Sequence, residues 1–178
     1  KNIENTNTTN TTNTNKNWLV KYDIIYNIVI QEDIFNKHIG SLKTENICIN
    51  TFIDCGNTIR DYIKITNSKV EIDDLHNIKV NLYILLACII SYNELKNKKT
   101  CEITYEMCRD LFIRKNSDYG DAFVDYGAIG ILMRLNDKIR RLESLNKKNN
   151  INFESIEDTI LDSFNYVILG LMLLNNKT

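Results

Sequence analysis

From Trp18 onward the apolar residues return every three or four positions, the spacing that lines up one face of an α-helix. Trp18, Leu19, Ile24, Ile25, Ile28, Val29 and Ile34 predict a first helix over roughly 17–37. Ile49, Phe52, Ile53, Ile59, Ile63 and Ile65 predict a second over about 49–66. A third, about 71–95, opens with the acids of "EIDDL", which a helix N-terminus favours, and continues into "VNLYILLACII". Three more are predicted over about 102–116, 128–146 and 154–174, with a loop at Gly120 and the polar break "NKKNNIN" between them. The Ile-rich segments leave a strand alternative, which the helical spacing outweighs. The chain has no proline and six glycines, so little interrupts long helices. The expected class is all-α, a helical bundle.

Residues 1–17, "KNIENTNTTNTTNTNKN", hold one aliphatic side chain. Such a stretch cannot bury enough apolar surface to offset its ordering entropy, so it is read as a disordered Asn/Thr-rich tail. The remainder divides into a helical half over 18–100 and a second over 101–178. These halves carry faint marks of two degenerate three-helix repeats. Gly40 and Gly120 stand 80 residues apart, and "NTIRDY" at 57–62 lies 80 residues before "DKIRRL" at 137–142. "EIDDL" at 71–75 resembles "SIEDT" at 155–159, and Asn81 parallels Asn165.

Composition narrows the function. At 43% apolar residues a core can form, and a net charge of −1 offers no bulk attraction to nucleic acid or acidic lipid, so neither is an expected partner. Five cysteines, odd in number and never paired as CxxC, argue against a disulfide framework and a structural zinc site and suit reduced cytoplasmic thiols. The longest apolar run, Leu82 to Ile90, is about half the ~20 residues of a membrane-spanning helix, so no membrane is expected. The chain starts without Met, which leaves an upstream targeting segment open.

The chemistry concentrates near the C-terminus. At 100° per residue, Glu154, Asp158, Asp162 and Asn165 fall in one narrow stripe of the sixth predicted helix. Ile156, Ile160, Leu161, Phe164, Val167 and Ile168 occupy the rest, so the helix should be buried and its acids should need a partner. Ser155 with Asp158 fits a capping box and explains the first turn without any function. It does not explain Asp162 and Asn165. On the fifth helix Arg134, Asp137, Lys138 and Arg141 share a face, either as ordinary surface ion pairs or as a cationic complement to the acids. Carboxylates facing cations suit a Mg²⁺ ion shared with substrate phosphates. In "KNSDYGDAF", Asp118 and Tyr119 sit on a turn permitted by Gly120, either as a turn residue and a half-buried anchor or as contacts for a ligand base.

The stretch "KNSDYGDAF…GAIGILMRLNDKIRRLESL…ESIEDTILDSFNYVILGLMLL", about 110–175, resembles the nucleotide modification associated domain 1 family. That family is linked to the all-α nucleoside triphosphate pyrophosphatases, the MazG-like enzymes and dimeric dUTPases. The resemblance implies a bundle that binds a nucleoside triphosphate with Mg²⁺ (Mn²⁺ as a substitute), where water attacks the α-phosphorus and releases a monophosphate and pyrophosphate. By position, Asp158 and Asp162, supported by Glu154, would be the metal-binding and catalytic acids. Arg134, Lys138 and Arg141 would contact the phosphates, and Asp118, Tyr119 and Asn165 would border the base or sugar. The ExxE and ExxD motifs of related enzymes are reduced here to Asp137 and to acids spaced i,i+4.

Three functions therefore stand as expectations. The first is a Mg²⁺-dependent nucleotide pyrophosphohydrolase of pool sanitation or modified-base metabolism. The second is a catalytically silent nucleotide-binding or accessory module. The third is a scaffold in which the two charged stripes merely pair. A homodimer or an intramolecular tandem repeat is the expected assembly.

Overall fold

The computed structural model describes the backbone of residues 8–66, 69–125, 127–147 and 153–175, and the side chains in those ranges except 8–16, 64–71, 119 and 153–155. Along the chain come α1 (Thr8–Val29), α2 (Asp33–Ser41), α3 (Glu45–Asp61), β1 (Ile63–Thr66), β2 (Lys69–Ile72), α4 (Leu75–Asn97), α5 (Cys101–Tyr119), α6 (Ala122–Asp125), α7 (Gly127–Lys147) and α8 (Phe153–Asn175). The all-α class holds, with one short antiparallel hairpin added.

Four helices make the centre. α3 packs on α4, α7 on α8, α3 on α7 and α4 on α8. Lys138 meets Asp162 while Gly170 lies beside Ile131 and Leu132, so α7 and α8 run antiparallel. Along the α3–α7 seam, Gly56 leaves no room for a Cβ, which would overlap the Ile139 side chain. The core is continuous: Leu82, Leu85 and Leu86 of α4 and Phe164, Val167 and Ile168 of α8 are all fully buried. Each such side chain contributes roughly 1.5–3 kcal/mol relative to exposure. α1 and α5 lie against α8, so the two sequence halves share this one core.

Several predicted boundaries move. The first predicted helix is two, broken between Val29 and Asp33, where Asn36 Nδ2 donates to the carbonyls of Ile30 and Glu32 at 3.2 Å each. The break lets both Val29 and Phe35 reach the core. The second ends at Asp61, because Ile63, Ile65, Val70 and Ile72 alternate at period two and pair as β1 and β2, Ile63 opposite Ile72. Of the acids in "EIDDL", Asp74 is the true start signal: its carboxylate accepts from Asn77 N at 2.9 Å as the N-cap of α4. α1 starts at Thr8, inside the tract read as a disordered tail, by continuing the helix that Trp18 anchors; residues 1–7 lie outside the described residues. α8 begins at Phe153, two residues before Ser155, so the predicted capping box does not sit at the helix start.

The short apolar run Leu82–Ile90 belongs to a helix of 23 residues, long and apolar enough by length and composition to cross a membrane. Its burial against α2, α3 and α8 explains that apolarity.

Candidate functional site

A pocket of about 760 Å³ opens between α5, α6, α7 and α8. Two glycines at positive φ, of which Gly120 lines the pocket, shape the turn beside it. Gly120 ends α5 and Gly127 starts α7, each at φ 62°, so the chain turns sharply out of α5 into α6 and again into α7. The turn carries Phe123 over the pocket. Its ring meets Trp18 of α1 edge-on at 5.4 Å and Phe112 of α5 at 6.0 Å. Ile131, Met133, Tyr166 and Leu169 continue this apolar wall.

The pocket also carries charge. Lys138 Nζ donates to Asp162 Oδ2 at 2.8 Å across the α7–α8 seam, and Lys115 Nζ of α5 stands 3.8 Å from Oδ1. Both pairs are partly solvated, so their stabilisation is modest. Arg134 and Asp137 line the same pocket and have no hydrogen bond or ion pair among the described residues. Asp162 is therefore already paired, and among the described pocket-lining residues Arg134 is the cation without an ion pair.

Asn165 is buried at 8% exposure, and its amide is used by the protein itself. Tyr22 of α1 donates its hydroxyl to Oδ1 at 2.6 Å, and Nδ2 donates to the Cys108 carbonyl at 3.0 Å. One residue thus ties α1, α5 and α8 at the pocket wall. Burial holds the Tyr22 hydroxyl well above its ordinary pKa, so it remains a donor. Beside it, Arg109 grips Asp23 with Nε to Oδ1 at 2.8 Å and Nη2 to Oδ2 at 2.9 Å, while Tyr105 donates to the same carboxylate. Burial pushes the Asp23 carboxyl up, but the hydrogen bonds from Arg109 and Tyr105 outweigh it and hold the pKa below the usual range. Tyr26 stacks on Tyr105 at 4.0 Å and Tyr22 on Phe112 at 4.9 Å. Together these contacts lock α1 onto α5 behind the pocket.

Asp162, Asn165 and Arg134 line the pocket together; Lys138 does not line it and joins them through its bond to Asp162, and the others stand apart. Asp158, one turn before Asp162, is exposed and does not line the pocket; neither do Arg141 and Asp118, also exposed. The side chains of Glu154 and Tyr119 lie outside the described residues. Among the described residues, no three His, Cys, Asp or Glu side chains group closely enough to hold a metal ion. With Asp162 bonded to Lys138 and Asp158 directed to solvent, these acids do not fit a resident Mg²⁺ site.

Periodicity passed over Lys115, Phe112, Phe123 and the contribution of α1. The aromatic series Trp18, Tyr22, Tyr26 at four-residue spacing was the available signal, because such rings on one helix face seek a partner surface. The five cysteines are free; burial pushes the Cys55 and Cys108 thiols up to about 12, as inert packing groups.

No curated protein and no solved structure matches the chain. Residues 115–174 match the family described as nucleotide modification associated domain 1. That stretch, from Lys115 on α5 to Leu174 on α8, contributes every pocket residue except Phe112, so the similarity to this family falls on the segment that encloses the pocket.

Proposed function

We propose that the pocket between α5, α6, α7 and α8 binds a nucleotide, with phosphates at Lys115, Lys138 and Arg134 and the base against Phe112, Phe123 and Tyr166. The observation that carries this reading is that Lys115 and Arg134 line one cavity with Phe112, Phe123 and Tyr166, and that Asp162 holds Lys138 beside it. Its volume lies within the range of small-molecule sites, which are mostly apolar with a few placed polar groups. Arginine suits phosphate through its planar fork, and the two lysines add mobile point charges. The words "nucleotide modification" in the description of the matching family agree with it. Every lining residue of the pocket comes from one chain.

A scaffold of paired stripes accounts for Lys138 and Asp162 but not for the cavity or for Arg134. Equilibrium dialysis against the common ribo- and deoxynucleoside triphosphates tests the binding reading. Saturable binding of at least one is expected, weakened at least about tenfold by Arg134→Ser; failure of the whole panel to bind rejects it.

A second reading, the MazG-like Mg²⁺-dependent pyrophosphohydrolase, draws support from Asp137 and Asp162 lining one pocket from two facing helices. Mg²⁺ commonly uses one or two carboxylates plus substrate phosphates, and Asp162 would first have to release Lys138. Pyrophosphate release from the same panel in Mg²⁺ or Mn²⁺, lost in Asp162→Asn, would establish turnover. Binding without release would leave an accessory nucleotide-binding module.

A further inference from the structure

Asp162 faces an ammonium group at each carboxylate oxygen, Lys138 at 2.8 Å from Oδ2 and Lys115 at 3.8 Å from Oδ1. A carboxylate meant to ligate a divalent ion would place that ion beside two like charges. Asp137 is the other described acid lining the pocket, and no group of three His, Cys, Asp or Glu side chains forms among the described residues. The metal-ligand role implied by resemblance and the geometry of Asp162 therefore disagree.

We propose that Asp162 is the resident counter-anion of a phosphate site: an incoming phosphate group takes over Lys138 and Lys115, and the nucleotide binds without a resident divalent metal. This rests on the nucleotide reading above. An ammonium group offers three donors, so Lys138 can keep Asp162 while turning a second hydrogen towards phosphate. Lys115 is more than half exposed and free to move. Arg134 lines the same pocket, has no acidic partner among the described residues, and adds a planar pair of donors. The carboxylate offsets the mutual repulsion of the lysines and holds them in place while the pocket is empty, and it repels an incoming phosphate.

This arrangement reverses the sign of one substitution. Removing a metal ligand weakens nucleotide binding. Removing a counter-anion frees two cations and strengthens it.

The test is calorimetric titration of the full chain with the four common deoxynucleoside triphosphates and inorganic triphosphate, in EDTA and in Mg²⁺. At least one deoxynucleoside triphosphate is expected to bind in EDTA. Asp162→Asn is expected to bind it roughly three- to tenfold more tightly, the scale of a partly exposed ion pair relieved. Lys138→Met is expected to bind at least about tenfold more weakly, the scale of a lost charge-assisted contact. Thermal melts establish that each variant folds; should Asp162→Asn fail, Lys115→Met on an exposed side chain decides by weakening the binding in EDTA. Binding that vanishes in EDTA and returns with Mg²⁺, or an Asp162→Asn variant that binds more weakly, overturns the proposal and leaves the nucleotide reading standing. Absence of binding in both buffers overturns that reading, and the proposal with it.

Discussion

The Tyr22 hydroxyl donates to Asn165 Oδ1 at 2.6 Å, joining the first helix of the chain to the last at the wall of the pocket. Without that donor, a buried amide oxygen loses its partner. Tyr22→Phe keeps the ring stack on Phe112 but leaves Asn165 Oδ1 unsatisfied, a cost of about 1–3 kcal/mol. Urea unfolding of the variant should show that loss at an unchanged m-value. Equal stability would mean that the bond contributes nothing.

Stability should also respond to acid through Asp23. Its folded pKa is lowered, so between that pKa and the ordinary carboxylate value of about 3.9 the unfolded chain binds more protons than the folded one. The contribution is complete above the unfolded value and is lost as pH falls through the folded one. Thermal melts from pH 6 down to about pH 2 should show a declining limb that Asp23→Asn flattens. The side chain is partly solvated, so roughly 1 kcal/mol or less is at stake. An unchanged limb in Asp23→Asn would assign the acid response elsewhere.

At Gly56 two effects oppose each other. Alanine is the better helix former by about 1 kcal/mol, yet its Cβ would overlap the buried Ile139 side chain. Overpacking of a tight core seam outweighs propensity, so Gly56→Ala should destabilise by about 1–3 kcal/mol net. Combining it with Ile139→Ala should recover at least about 1 kcal/mol relative to the sum of the single losses. Additive losses would show that α3 and α7 do not meet there.

How much of this was legible beforehand differs from one element to another. α7 and α8 kept their predicted positions within a residue because each carries a long stripe at a 3.6-residue period. The segment 61–72 was misread because Ile63 and Ile65 satisfy a helical count as well as a strand alternation. Only pairing with Val70 and Ile72 separates the two, and pairing is not local. At the site, Asp162 and Asn165 stood out as polar groups in an apolar helix, and both reach the pocket. Their partners did not: Tyr22 is 143 residues from Asn165, and the ring series at 18, 22 and 26 marks a packing face without saying what the Tyr22 hydroxyl meets. Asp158 shared their stripe yet points to solvent, since a stripe on a helical wheel does not say where the neighbouring helix ends.

Trp18 is the single tryptophan of the chain and packs on Phe123, which lines the pocket. Its emission therefore reports on the cavity through Phe123. Titrating the protein with the nucleoside triphosphate that dialysis selects should give a saturable change in Trp18 fluorescence, with the same midpoint as binding, and Arg134→Ser should shift that midpoint to higher concentration. Emission that stays constant while the nucleotide saturates the protein would place the ligand elsewhere and contradict the assignment of this pocket.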